Sequence, residues 1–547
     1  MRAGILYIIC LLIFFEGFSQ QSPLFFGPSY RLYPSSVNQT EVFITKSPID
    51  QDILFVSCNT LSFIPFFVSE GIYATTNGGQ IWYGNDTCQG DPIGFHGGDP
   101  GIAIDKNGTF ILTRIGRSPF VGLYSHFSLD NGVTWSAQKV ISTDDLERAT
   151  IATDANPFSP YYGRTYAAWV KFAPPFPLML AYSDDGAQSW TAPMQINNPA
   201  DRSAGGDITI GPDGEVYVCW AGVTEVSPFK EIYTGFAVSY DGGENWTITE
   251  NAFPMNGITG ILESKANIRV NGLPCITVDT TTGPRRGWIY IATGEKDLVP
   301  AGSDPDIILH RSTDGGLTWS GGIRVNQDGL NNGKTQYFPG IDIDKTGALN
   351  IIFYDDRSTT SDSAGVYLGR SIDGGDNWAE YELSDHNFKP APIGGLGQGY
   401  QGDNIDIIST DTKLWPVWMD NSTGIYQVWT TPVDISSLSG VEEESAVGSW
   451  QLAVRVYPNP FTTSTTISYF VPERSYVTLK IYDLTGKEVA VLVDDVQFAG
   501  DYKILFRVPG NCELRTANCK AMYIAALTIK STHSSALQVS FAKILQH

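Results

Sequence analysis

Carboxylates, arginines and aromatic residues recur at fixed places in this chain, just before or just after short apolar runs. His96 and Asp99 (HGGDPG), Arg148, Asp207 (AGGDIT), Tyr337 (TQYFPG) and Tyr400 with Asp403 (GYQGDN) precede such runs. Arg114, Arg117, Trp220, Glu295, Asp355, Asp356, Arg357, Asp420 and Asn421 follow them. Gathered at one place, this mixture suits a sugar: aromatic faces stack on rings, carboxylates accept hydroxyl hydrogens, and guanidinium forks grip acidic groups. Asp99, Glu295, Tyr337, Arg114 and Arg357 are the candidates for catalysis. Trp220, Asp207, Asp356, Tyr400 and Asp403 are the candidate ligand contacts. The same residue types also serve as loop caps and rim ion pairs, so each candidate has a structural alternative.

Metal chemistry is less well provided for. YDDR at 354–357, SDPD at 303–306 and DDLE at 144–147 offer hard oxygen ligands in loops, without EF-hand spacing. Ordinary turn caps account for them; no cofactor is required, and a structural calcium ion is allowed. No GxGxxG, P-loop or HExxH stands in a credible context. A formal net charge of −23 repels phosphate backbones and anionic membranes, which excludes nucleic acid as a partner.

The elements that would position these residues follow from a repeat. TTNGGQIW, SLDNGVTW, SDDGAQSW, SYDGGENW, STDGGLTW and SIDGGDNW recur with Trp-to-Trp spacings of 53, 55, 56, 73 and 59 residues. Their marked positions are Asn77 and Trp82, Asp130 and Trp135, Asp185 and Trp190, Asp241 and Trp246, Asp314 and Trp319, and Asp373 and Trp378. Each copy is a hairpin turn in which Ser or Thr and Asp or Asn bond nearby amides, Gly supplies positive φ, and Trp packs beneath. Upstream of each stand two strand-like runs, such as PGIAID with GTFILTRIG and PGIDID with ALNIIFYDDR. The spacing fits one four-stranded blade per copy. Residues 404–431 repeat the strands without the turn, and SYRLY at 29–33 would complete that last blade as its outer strand. The fold class is therefore all-β, a β-propeller with seven blades favoured and six the alternative, followed by a small Ig-like β-sandwich.

The turns match the Asp box, SxDxGxxW, and the chain resembles the Asp-box (BNR) repeat, sialidase-like propellers, with Asn77 for Asp in the first copy and Ala187 for Gly in the third. That resemblance implies the propeller, and with it a mouth at which strand entries and exits meet. It does not carry the sialidase set cleanly. The family's first arginine lies in an F/Y-R-I-P motif ahead of the first box, where this chain has only Arg31 in SYRLYP, and TRIG at 113–116 comes after that box. The resemblance implies three arginines clamping a substrate carboxylate, for which Arg114, Arg148, Arg269 and Arg357 are available, a Tyr nucleophile (Tyr337 or Tyr400) with Glu295 as its base, and Asp99 as the acid.

Residues 1–19 carry Arg2, an apolar run from Ile5 to Phe15 and small residues before Gln20, the layout of a signal peptide and too short to span a bilayer. No transmembrane segment is expected in the mature chain. Residues 20–434 form the propeller, 435–451 a polar, acidic linker, and 452–547 a period-two strand pattern between Pro, Gly and Asn turns. YPNPF, IYDLTGKEV and AGDY there closely resemble the C-terminal sorting domain of the type IX secretion system. That implies the type IX machinery as a partner and a secreted or outer-membrane cell-surface location; the insertion GNCELRTANCK departs from the family. Cys58 and Cys88 flank one repeat, Cys512 and Cys519 a short loop, and Cys219 and Cys275 sit in strands of successive repeats, so three disulfides are possible with the pairing open, buried free thiols being the alternative for Cys219 and Cys275. Two function classes follow: a propeller that recognises extracellular glycan or surface protein, or a divergent exo-α-sialidase or related glycoside hydrolase. Whether it is an enzyme stays open at this point.

Overall fold

The computed structural model describes residues 26–438, apart from 64–65, 89–95 and 395–398, and much of 455–546, with breaks at 458–463, 472–473, 484–486, 499, 508–520 and 532–536. The expected signal peptide, most of the linker, and Cys512 and Cys519 lie outside the described residues. The chain divides into two compact units on either side of Ile435 and Ser436.

The first unit is a β-propeller. Six consecutive four-stranded antiparallel sheets have innermost strands Asn38–Lys46, His96–Ile104, Thr150–Thr153, Arg202–Ile210, Cys275–Val278 and Gln336–Ile343. The seventh sheet combines Asp406–Ser409, Lys413–Asp420 and Gln427–Thr430 with the N-terminal strand Tyr30–Arg31, which pairs with Thr430 and Trp429. This pairing of chain ends joins the last sheet to the first and covers its edge. Gln39 reinforces the seam: its Nε2 donates to the Tyr73 hydroxyl at 2.9 Å, and its Oε1 accepts from the Val428 amide at 2.9 Å.

Strand periodicity explains the packing. Alternate residues of each middle strand face opposite sheets, so Leu54, Val56 and Cys58 enter one core and Phe55 the next. The box tryptophans wedge between successive blades: Trp135 beside Phe55 and Phe110, Trp190 beside Trp169, Trp246 beside Trp220, and Trp319 beside Phe236. The turns have the expected bonds. In the second, Asp130 Oδ1 accepts from the Ser128 hydroxyl and the Thr134 amide, each at 2.8 Å, and Trp135 Nε1 donates to the Gly132 carbonyl at 3.0 Å. The third copy holds Ala187 at φ 64°, a left-handed conformation that the other five give to glycine.

The same alternation corrects the expected disulfides. Cys58 lies between the seventh and first blades and Cys88 between the first and second; Cys219 faces the fifth blade, while Cys275 Sγ lies 3.5 Å from the Pro339 carbonyl of the sixth. All four are free thiols.

The second unit pairs a three-stranded sheet, Arg455–Tyr457, Ser464–Val471 and Gly500–Arg507, with a four-stranded one ordered Glu488–Gln497, Ser475–Asp483, Ala521–Ser531 and Leu537–Gln546. Ile467, Tyr469, Val477, Leu479, Ile481, Phe506 and Leu527 form its core. No helix among the described residues is long and apolar enough to cross a membrane.

Candidate functional site

Four of the innermost strands break register just as they enter the ring, at Thr40/Phe43, Gly98/Gly101, Ala204/Gly206 and Tyr337/Gly340. A bulge of this kind re-aims one side chain. Glu41 (φ 54°), Asp99 (φ 56°) and Phe338 (φ 54°) occupy it in the left-handed region, where a non-glycine residue costs about 1–3 kcal/mol and marks a position fixed by its surroundings. Glu41 and Asp99 are thereby set side by side. Asn59 Nδ2 donates to Glu41 Oε2 at 2.9 Å and to Asp99 Oδ1 at 3.2 Å, while Asn59 Oδ1 accepts from the Asp99 amide at 2.7 Å. Burial first, then the charges of Asp99 and Asp403, hold Glu41 well above the usual carboxylate range, and burial raises Asp99 as well. The two behave as one carboxyl pair whose ionisation burial disfavours.

Tyr400 completes this corner. Its hydroxyl lies 3.0 Å from Thr40 Oγ1 and accepts from Asn59 Nδ2 at 3.3 Å, and burial raises its pKa, with the Glu41 charge in support. Two cations adjoin it. Arg269 forms a two-point pair with Asp403 and lies 5.5 Å above the Tyr400 ring; Arg148 donates to Asn404 Oδ1 at 2.8 Å and sits 5.3 Å over Phe43. Glu147 beside it is open to water in the mouth but crowded by protein, and that crowding, with Asp99 and Asp403, pushes its pKa up to about 7.

Arg269 comes from outside the repeat. The 73-residue spacing accommodates an extra hairpin, Gly260–Leu262 with Ile268–Val270, between the fourth and fifth blades. It reaches the seventh blade through Arg269 and the sixth through Lys265, whose Nζ donates to Asp356 Oδ2 at 2.6 Å.

Below the mouth the ring encloses a channel cavity of about 930 Å³, bordered by Arg148 and Asp403 at this end and by Phe158 and Arg286 at the other. Asp207, Asp342 and Asp406 line it. Each is raised chiefly by desolvation, to about 6, 6 and 8 respectively. Asp207 accepts the Ile208 and Ile276 amides, and Asp406 those of Ile44 and Ile407, so both tie neighbouring inner strands together.

Of the expected site residues, the fold brings Asp99, Tyr400 and Asp403 together with Arg148, and puts Asp207 in the channel. The others are engaged elsewhere. Trp220 is fully buried in the core between the third and fourth blades. Tyr337 is fully buried against Tyr354 and Phe338, with its ionisation strongly disfavoured by burial. Glu295 is buried too, accepting from Thr293 Oγ1 at 2.7 Å and the Asn256 amide at 3.2 Å, so it is not the base of a Tyr337 nucleophile. Arg114 is buried with His126 and Gln138, and Arg357 is held by Asp355 and Glu380, which leaves no three-arginine cluster with Arg148 and Arg269. Asp356 is taken up by Lys265 and the Thr335 amide. His96 pairs with buried Glu70, and Asp420 with His386.

The loop carboxylates offered for calcium are likewise occupied: Asp355 by Arg357, Asp306 by Arg324, Asp144 by Lys171. Among the described residues no group of three His, Cys, Asp or Glu side chains is arranged to hold a metal ion. Glu41 and Glu147 were not singled out from the sequence as mouth residues. The available signal was positional, because Glu41 precedes EVFIT's apolar residues as Asp99 precedes PGIAID's.

Residues 455–503 match the secretion system C-terminal sorting domain. The protein is accordingly secreted or held at the cell surface, handled by the type IX secretion machinery. No curated relative matches the sequence. Solved structures resemble it in part. A polysaccharide lyase, ulvan lyase bound to -[GlcA(1-4)Rha3S]-, is 10% identical over 74% of this chain and 98% of its own, with a TM-score of 0.47. The Penicillium chrysogenum α-L-arabinanase complexed with arabinobiose is 11% identical over 61% and 94%, at 0.39. The Ruminococcus gnavus intramolecular trans-sialidase in complex with oseltamivir carboxylate is 12% identical over 59% and 90%, at 0.37.

Proposed function

We propose that this is an extracellular glycan-recognising propeller of the Asp-box, sialidase-like kind, whose ligand enters the mouth above the channel. The observation that carries this reading is the Arg269–Asp403 pair, with the Arg269 guanidinium over the Tyr400 ring and Arg148 beside it on Asn404. With the Arg269 guanidinium seated on the Tyr400 ring, the corner offers fixed donors and carboxylate acceptors as directional partners for hydroxyls. Secretion puts that mouth in contact with extracellular polysaccharide and surface glycoconjugates. Calcium remains an optional structural addition in this reading, required by no contact at the mouth.

A second reading, a divergent glycoside hydrolase, draws on one specific feature. Burial holds both carboxyls of the Glu41–Asp99 pair above the usual range, and Glu147, with a pKa of about 7, stands within reach of the same charges. Carboxyls with separated proton affinities are what acid and base roles need. An exo-α-sialidase in particular would need three convergent arginines and an activated tyrosine, and the mouth supplies Arg148, Arg269 and an un-ionised Tyr400.

The test is a glycan array probed with the secreted chain, followed by a reducing-sugar assay on each glycan retained. Retention without release supports the binding propeller, and release abolished by Glu147→Gln supports the hydrolase. An array with no retained glycan and no released sugar would contradict both.

A further inference from the structure

Three adjacent blades carry the same loop tip on the mouth face. The connections between their second and third strands read Ser118-Pro119-Phe120, Pro174-Pro175-Phe176 and Ser227-Pro228-Phe229. The second and third of these loops expose apolar surface: Phe172 is 38% exposed and Phe229 39%, with Val226 beside the last at 72%. Fully burying such rings would be worth about 1.5–3 kcal/mol each, so these partly exposed rings form a surface that a ligand can cover.

Arg202 stands among them. It opens the inner strand of the fourth blade, and its guanidinium lies 4.1 Å from the ring centre of Phe176, 4.4 Å from that of Phe229 and 5.7 Å from that of Phe172. Its Nε is buried with no hydrogen-bond partner, and among the described residues no carboxylate pairs with the guanidinium. Burial, with the charge of the neighbouring Asp201, raises the Tyr233 pKa. A buried donor left unpaired costs about 1–3 kcal/mol or more when charged, whereas a planar cation held between rings is already oriented for two-point binding of an oxyanion. Five residues further along the strand, roughly 16 Å at strand rise, Asp207 lines the channel, so Arg202 and the mouth share one face.

We infer that Arg202 with Phe172, Phe176 and Phe229 is an outer subsite for an acidic sugar, binding a carboxylate or sulfate while the exposed rings stack on neighbouring sugar units. This rests on the glycan reading and narrows it to anionic polysaccharide. The overall charge of −23 disfavours diffuse binding of polyanions, so capture of one requires a local cationic site such as this.

The experiment is affinity electrophoresis of the full secreted chain through gels containing alginate, dextran sulfate or uncharged dextran. Retardation by alginate assigns a carboxylate and by dextran sulfate a sulfate. Arg202→Gln is expected to weaken that retardation at least tenfold, and Arg202→Lys, which keeps the charge but loses the planar fork, by a smaller factor. Coincident thermal unfolding of the variants with the parent establishes that each is folded; should Arg202→Gln unfold, Phe229→Ser carries the same expectation. Anionic retardation unchanged in these variants, or retention on dextran alone, would overturn the subsite and leave the mouth reading intact. Retention on none of the three gels, with the glycan array also blank, would overturn both.

Discussion

Lys265 and Asp356 form an ion pair from which solvent is excluded: both side chains are fully buried, with Nζ 2.6 Å from Oδ2. Lys265 also donates to the Ser361 and Ser363 carbonyls at 2.8 and 3.0 Å, and Asp356 Oδ1 accepts the Thr335 amide at 2.9 Å. Every donor and acceptor position that the pair needs is filled. The pair fastens the inserted hairpin to the sixth blade, and so positions Arg269 against Asp403 of the seventh.

Removing one member of a buried pair strands the other, at a cost of about 3–5 kcal/mol. Lys265→Met is therefore expected to release the hairpin while the seven sheets persist. Limited proteolysis should show new cleavage within 257–270, with strand content by circular dichroism unchanged. Lys265→Met and Asp356→Asn together should be milder than Lys265→Met alone, since no unpaired buried charge remains.

His386 links the loop after the sixth blade to the closing sheet. Its Nε2 lies 3.2 Å from Asp420 Oδ2 and its Nδ1 2.7 Å from Asp385 Oδ1, and Asp420 above all raises its pKa to about 9. The folded state therefore binds a proton that the unfolded chain releases near its ordinary value of about 6.5. This stabilisation is fully present below that value and is lost as pH rises through about 9. With the side chain partly exposed, a contribution of about 1–2 kcal/mol is expected after screening. Thermal unfolding of His386→Ala should be lower than the parent's at pH 6, with the gap closing towards pH 10.

The box turns make a graded prediction. Asp130→Ala removes acceptors from the Ser128 hydroxyl, the Thr134 amide and the Thr134 hydroxyl, and should cost about 1 kcal/mol. Asp130→Asn should cost less, because the first box already works with an amide: Asn77 Oδ1 accepts from Thr75 Oγ1 at 2.9 Å and the Ile81 amide at 3.0 Å. Chemical denaturation of the two variants checks the order.

The architecture was legible because its signals are local. Each SxDxGxxW turn closes on residues within the same eight, and the pairing of SYRLY with the last blade follows from that blade lacking an outer strand. The site was less so. Whether a strand-end residue faces the channel, the mouth or an interblade core depends on a one-residue change of register. Trp220 turns inward because Gly235 opposite it has no side chain; a Cβ there would fall 2.1 Å from the indole. Glu41 and Asp99 are re-aimed towards each other because their strands bulge, which residue types alone do not announce. Arg269 lies in an insertion outside the repeat, so no periodicity pointed to it.

The central claim is that ligand binds at the mouth end of the channel, and calorimetric titration tests it most directly. The strongest array ligand would be titrated into the parent chain, Arg148→Gln at the mouth, and Arg286→Gln at the opposite opening. We expect affinity to fall at least tenfold for Arg148→Gln and to be unchanged for Arg286→Gln. Unchanged affinity in Arg148→Gln, with the loss appearing in Arg286→Gln, would contradict the account and move the site to the other face of the ring.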